Sequence, residues 1–307
     1  MGAGMIPLTS IVVDVDAAAV EHPALEQAVA LAVQCGARVK IVDVLPWVPD
    51  RARHFVTAGL EQELVEHRYE RLAAIARGVT RTGVTAELLR GRTGTALIQE
   101  VQRSGHGLLV RSHDRDLSVD SKPFGATDME LLRHAPCPVW LIGPRPPHEP
   151  WRIAAAIHAN PDDANEQRLN ATILEWTLTL KTLCDAHVTL LQAWTAYGAS
   201  LLESRMRPED FAAFVDAARR TDDDALTAFL EPYRDRLTGV TVVLIEGEPE
   251  EAITRYVEAH GIDVVVMGTV ARTGLAGLVM GNTAERVLQR LRGSVLAVKP
   301  PGFEAPP

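Results

Sequence analysis

The chain repeats itself, and that constrains its fold more than any other feature. "GRTGTALIQEVQRSGHGLLV" from Gly91 and "GEPEEAITRYVEAHGIDVVV" from Gly247 align without a gap at an offset of 156. Gly91 meets Gly247, Ala96 meets Ala252, Val101 meets Val257 and Gly105 meets Gly261. The register runs on into "ELLRHAPCPVWLIGP" and "RVLQRLRGSVLAVKP". Upstream, "SIVVDVD" from Ser10 matches "RIAAAIH" from Arg152, and "CGARVKIVDV" matches "CDAHVTLLQA". The 307 residues are therefore one domain copied, with enough chain in each half for its own core. Four prolines between Pro144 and Pro150 can continue neither helix nor strand. They divide the chain into a first domain over 7–143, a linker over 144–150, a second domain over 151–300 and a tail over 301–307.

Each half alternates apolar strands with helical stretches. In the first, a strand precedes a helix over Ala24 to Gln34, then come strands over Val39 to Leu45 and Val84 to Leu89. In the second, the corresponding segments are Ala164 to Leu183, Val188 to Ala193 and Val240 to Ile245. This alternation predicts the α/β class: two tandem open, mostly parallel five-stranded sheets with helices on both faces. "IDVVVM" reads as a strand buried on both sides.

A net charge of −9 argues against a nucleic-acid partner, which calls for a basic surface. Three cysteines, Cys35, Cys137 and Cys184, form no CxxC pair and fit free thiols in a reducing compartment. No apolar run reaches the roughly 18 residues of a membrane span. "MGAGMIPLTS" has no basic segment leading into an apolar one, so the expected address is cytoplasmic.

The richest chemistry lies in "VVVMGTVARTGLAGLVMGNTAERVL" from Val264. An apolar strand ends at Gly268, a Gly- and Thr-rich loop follows, and Gly281, Asn282 and Thr283 open a helix. Helix N-termini beyond the carboxyl ends of parallel strands suit anions. Arg272 adds a cation, and Thr269, Thr273 and Thr283 add hydroxyls. No GxxxxGK[ST] occurs, so a P-loop is excluded. On composition alone, a phosphate cradle and a tight turn both remain open.

This stretch resembles the nucleotide-binding branch of the universal stress protein family, whose loop reads G-x2-G-x9-G-[S/T]. The chain has Gly268, Ala271, Gly281 and Asn282 at those places, flanked by "DVVVMGT" and "GNTAERVL". "LLRHAPCPVWLI" carries the likeness into the first half, and the resemblance extends from about Ile11 to Lys299 as a tandem arrangement. It implies an adenine nucleotide alpha hydrolase-like fold, a stress-response role without catalysis, and an intrachain pseudo-dimer paired through the last strands "PVWLI" and "SVLAV". It also implies homodimer formation, and ATP or another adenine nucleotide, with Mg, in the second half. The implied nucleotide residues are Ala156, Ile157, His158, Met267, Gly268, Thr269, Arg272, Gly281, Asn282 and Thr283. His158 stands where the family holds ribose with a carboxylate, and Ala271 replaces the second glycine.

The first half departs the other way. Asp16 falls at the carboxylate position, Ser112 and Arg115 replace glycines, and only Gly125 remains. Asp114, Asp116 and Asp120 would repel phosphate, so this site is degenerate and ordinary ATP binding is not expected there. Asp16 suits a turn equally well.

Other motifs read as structure. "SHDRDLSVD" matches no complete metal loop, "TDDDALTAFL" reads as a helix start capped at Thr221 or Asp222, and Asp162 and Asp163 mark another helix start. His106 and His260 fall at helix ends, and there is no HExxH or GxSxG. Two alternatives to nucleotide binding without turnover stay open: a weak ATP hydrolase, and a pocket for an apolar or mixed ligand suited to His158, Trp194 and Met267.

Overall fold

The computed structural model describes residues 6–52, 54–113, 123–144, 147–269, 280–301 and 303. They form two compact units, one built on Ile6–Pro146 with Gly293–Ala297, the other on Pro147–Arg292 with Val298–Gly302.

The first unit runs β1 (Ser10–Asp14), α1 (Pro23–Cys35), β2 (Arg38–Leu45), α2 (Ala58–Gly78), β3 (Val84–Arg90), α3 (Thr93–Ser104), β4 (Leu108–Ser112), α4 (Ala126–His134) and β5 (Val139–Ile142). Its parallel strands lie in the order β3-β2-β1-β4-β5. Ile11, Val12 and Val13 of β1 and Leu108, Leu109 and Val110 of β4 are fully buried, as expected for strands covered on both faces. Chain direction around the sheet reverses between β1 and β4. That opens a crevice at their carboxyl ends.

The second unit runs β6 (Arg152–Ala156), α5 (Ala164–Leu183), β7 (His187–Trp194), α6 (Ala199–Leu202), α7 (Pro208–Leu230), β8 (Val240–Glu246), α8 (Pro249–His260), β9 (Val264–Gly268) and α9 (Asn282–Leu288). Its parallel order is β8-β7-β6-β9, with the reversal between β6 and β9. The last strand is β10 (Ser294–Val298). Its Val295, Leu296 and Ala297 pair antiparallel with β5 and cluster with the first unit.

The glycines that mark the repeat have a backbone cause. Gly105 and Gly261 end α3 and α8 at φ 66° and 57°, the left-handed conformation that closes a helix. Gly91 and Gly247 turn the chain into those helices at φ 128° and 133°, where a side chain would be strained.

One helix start is misread by the sequence. "TDDDALTAFL" lies inside α7, which begins earlier, at Pro208, with Glu209 and Asp210 in its first turn. Proline at the first helical position and acids beside it already supply the start signal, and nothing breaks the helix afterwards. The Thr221 hydroxyl donates to the Ala217 carbonyl at 3.0 Å instead of capping. The start at Asp163 is as expected: its carboxylate accepts from the N–H of Asn165 and Glu166 at 2.9 and 3.1 Å.

Candidate functional site

A cavity of about 370 Å³ opens in the second unit where β6 and β9 end. Eight of the ten residues anticipated for nucleotide line it: Ala156, Ile157, His158, Met267, Gly268, Gly281, Asn282 and Thr283. Thr269 is fully buried and not in the lining; its carbonyl accepts the Gly281 N–H at 3.0 Å. Arg272 lies outside the described residues, as do Ala271 and Thr273.

Much of the wall was not foreseen. Helix α5 contributes Asn165, Glu166, Leu169, Asn170 and Ile173, and α8 contributes Pro249 and Ile253. The spacing 166, 169, 170, 173 is one helix face. Periodicity could reveal that face, but not that it would abut the strand ends.

His158 sits just beyond the end of β6 and is held from three sides. Its Nδ1 lies 2.9 Å from Glu166 Oε1. Its backbone N–H donates to Asn170 Oδ1 at 3.3 Å, and its carbonyl accepts from Asn170 Nδ2 at 2.7 Å. Glu166 and Asn170 are buried, whereas about a third of the His158 side chain remains exposed at the cavity. A carboxylate only accepts, so Nδ1 is the donor toward Glu166.

The first unit holds a larger cavity, about 610 Å³, at the corresponding crevice. Its size is misleading, because its lining is charged: Asp14, Asp16, Glu21 and Asp43 against Arg68 and Arg111. Both guanidiniums are engaged. Arg68 donates to Asp43 at 2.5 and 3.2 Å and to Asp16 at 2.7 Å. Arg111 bonds Asp14, and donates to Asp128 Oδ1 at 2.9 Å. Burial pushes the Asp14 carboxyl up to about 6, against the opposing pull of Arg111. Asp16 closes a turn, accepting from the Ala18 N–H at 2.8 Å. Ser112 lines the cavity and its hydroxyl accepts the Ala24 N–H of α1 at 3.3 Å. Gly125 is the N-cap of α4 and not in the lining, while Arg115 and Asp114, Asp116 and Asp120 lie outside the described residues.

Superposing the repeat registers pairs the two crevices residue by residue. Asp14, Arg111 and Asp128 correspond to Ala156, Met267 and Ala284. An ion triad in one half is three uncharged side chains in the other, all three of which line the smaller cavity. Asp43 corresponds to Gln192, which keeps the same bond, accepting from the Ala159 N–H at 2.9 Å as Asp43 accepts from Ala17 at 3.0 Å.

Two copies of a βαβ unit, each with a crevice beyond its parallel strands, define a tandem doubly wound α/β protein. The Universal stress protein family profile matches residues 8–143 and 161–299, and the chain belongs to that family. It is a tandem member of the universal stress protein E type. Universal stress protein E of Escherichia coli strain K12 is 28% identical over 303 residues, covering 93% of this chain and 92% of that one. Universal stress protein E of Photorhabdus laumondii is 26% identical, covering 97% and 96%. Among solved structures, a universal stress protein from Pseudomonas aeruginosa UCBPP-PA14 is similar at TM-score 0.68 and 26% identity, covering 95% of this chain and 94% of that one. One from Archaeoglobus fulgidus shares the fold at TM-score 0.63 and 14% identity, covering 94% and 98%. Among the described residues, no helix is long and apolar enough to cross a membrane, and no three His, Cys, Asp or Glu group as a metal site.

Proposed function

We propose that this stress-response protein acts without catalysis and binds one adenine nucleotide, in the cavity of its second unit. The observation that carries the reading is the contrast between the two halves. At matched positions the first crevice has Asp14, Arg111 and Asp128, and the second has Ala156, Met267 and Ala284. Beside those small and flexible side chains stand Gly268, Gly281, Asn282 and Thr283, the residues that the family resemblance assigns to the nucleotide. The excess of carboxylates in the first crevice opposes a phosphate chain. The cavity of about 370 Å³ is within the range of small-molecule sites. A bound nucleotide would act by favouring one conformation over another, for which it needs unequal affinity for the two.

Isothermal titration with ATP and ADP tests this. Saturable heat below high micromolar ligand is expected. No heat from the wild type or from His158→Asp, which restores a carboxylate, would rule the nucleotide out.

A second reading has its own support. Ile157, Leu169, Ile173, Ile253, Met267 and Val287 give the cavity a largely apolar wall, which suits an apolar or mixed ligand. Native mass spectrometry of the purified protein separates the two: a retained mass that ATP does not displace favours the second.

A further inference from the structure

The crevice of the first unit is short of positive charge. Carboxylates from Asp14, Asp16, Glu21 and Asp43 line it against the guanidiniums of Arg68 and Arg111. Each guanidinium is already divided between acids. Arg68 bonds both Asp43 and Asp16, and Arg111 bonds both Asp14 and Asp128. Residues 114–122 lie outside the described residues, and their sequence sets Asp114, Asp116 and Asp120 against Arg115 and Lys122, so they bring no surplus of cations.

The shortage is sharpest at Asp14, on the cavity wall where β1 ends. Its side chain is 9% exposed, and Arg111 holds Oδ2. Oδ1 has no hydrogen-bond partner among the described residues, yet it is not sealed off. Burial outweighs the pull of Arg111 and lifts this carboxyl to about 6, as expected of a buried charge with too little compensation. Glu100 of α3 is the contrast: more deeply enclosed, it receives two cations, Lys40 and Arg103.

We propose that this crevice binds a small aliphatic amine with two cationic ends, a diamine or an amino-guanidine, whose ammonium donates to Asp14 Oδ1. The second cation lies at the mouth, where Asp16 and Glu21 are exposed. Val20, Pro23, Leu25 and Val44 line the same cavity and suit a methylene stem between the charges. A bare metal ion fits less well, since no three His, Cys, Asp or Glu among the described residues group as a metal site. A cavity of about 610 Å³ has room for an organic molecule. The proposal is independent of what the second cavity binds. There Ala156, Met267 and Ala284 replace Asp14, Arg111 and Asp128, so one amine per chain is expected.

Isothermal titration at pH 8 with putrescine (1,4-diaminobutane) and agmatine tests this, with 1,4-butanediol as the neutral counterpart of the diamine. Salt of about 150 mM screens diffuse attraction to an acidic surface. Saturable binding of one putrescine or agmatine per chain is expected, and no heat from the diol. Asp14→Asn should weaken the amine about tenfold or more, the size of a hydrogen bond between charged groups. Asp223→Asn, at an exposed acid of α7, should change nothing. No saturable binding of either amine by the folded wild type overturns the proposal, as does a diol equal to the diamine. Asp14→Asn binding as tightly as the wild type, or an equal loss in Asp223→Asn, overturns it too. If Asp14→Asn fails to fold, the diamine and diol on the wild type decide the matter.

Discussion

Two buried carboxylates in the first unit are pushed in opposite directions by what surrounds them. Burial raises the Glu100 carboxyl, but hydrogen bonds from Lys40, Arg103, Ser104 and His106 outweigh it and hold it down at about 2. The His106 ring joins this group to β1: Nε2 is 3.1 Å from Glu100 Oε1, and Nδ1 is 2.6 Å from the Ser10 hydroxyl. A serine, a histidine and a carboxylate in line resemble a hydrolytic relay, but Glu100 is enclosed and already shared with two cations. The group reads as a structural pin between α3 and β1. A depressed acid contributes stability above its unfolded value near 4.5, and that contribution is lost as pH falls toward 2. Glu100→Gln should therefore cost on the order of 2–3 kcal/mol at pH 7 and flatten the acid limb of a urea-stability profile below about pH 4.5. Asp14 has the opposite sign. Its raised value makes ionisation unfavourable in the folded state, so stability falls as pH rises from about 4 to about 6. The same profile measured on Asp14→Asn should lose that decline. If both variants keep the wild-type pH dependence, these assignments are wrong. His106 was read from sequence as a helix-end residue. Its place after α3 was legible, but its partners were not, because Ser10 is 96 positions away.

Elements explain which glycines were legible and what packing one of them also serves. Gly105 and Gly261 end helices in left-handed geometry, a local requirement that the repeat itself advertised. Gly268 looked like a glycine kept for a ligand. Its φ is not in the left-handed region, and a Cβ there would come within 2.5 to 2.9 Å of three Leu169 side-chain atoms. As the Leu169 side chain of α5 stands, it leaves no room for a Cβ at the end of β9, whatever the cavity binds. In the first half Ser112 fills the same place, and its hydroxyl instead meets α1. Transplanting it by Gly268→Ser should push Leu169 off its position in the cavity wall. The expected cost is about 1–3 kcal/mol of overpacking, with weaker ligand binding alongside. Denaturation and titration measure the two separately; a variant of unchanged stability would show that α5 yields freely. Strand and helix order was legible because hydrophobic period and turn residues are local signals. The α5 wall of Glu166, Leu169 and Asn170 was not, since only packing decides which helix face meets the strand ends.

At the scale of the whole molecule, one duplicated fold has kept two crevices and furnished them differently. The register of the repeat was readable in the sequence and carries that comparison. Its chemical meaning came only when Asp14, Arg111 and Asp128 were found bonded together. A titration should accordingly give one adenine ligand per chain, and two would place a second site in the first unit. The triad itself makes the stronger prediction. Breaking a buried ion pair by removing one partner costs about 3–5 kcal/mol, because it leaves charge unpaired. Replacing all of the charges by well-packed apolar groups is often neutral or stabilising. Arg111→Met alone strands Asp14 and Asp128, whose side chains are 9% and 0% exposed, and should fall in the costly range. The triple change Asp14→Ala, Arg111→Met and Asp128→Ala installs the residues that the second half already uses at these positions. It also removes the bond from the Gly125 N–H to Asp128, a loss of about 1 kcal/mol for a helix cap. The triple variant should still be more stable than the single one. Urea unfolding of wild type, single and triple variants decides it. A triple variant no more stable than Arg111→Met alone would show that the triad is not a coupled unit, and that the second crevice did not arise by exchanging it as one.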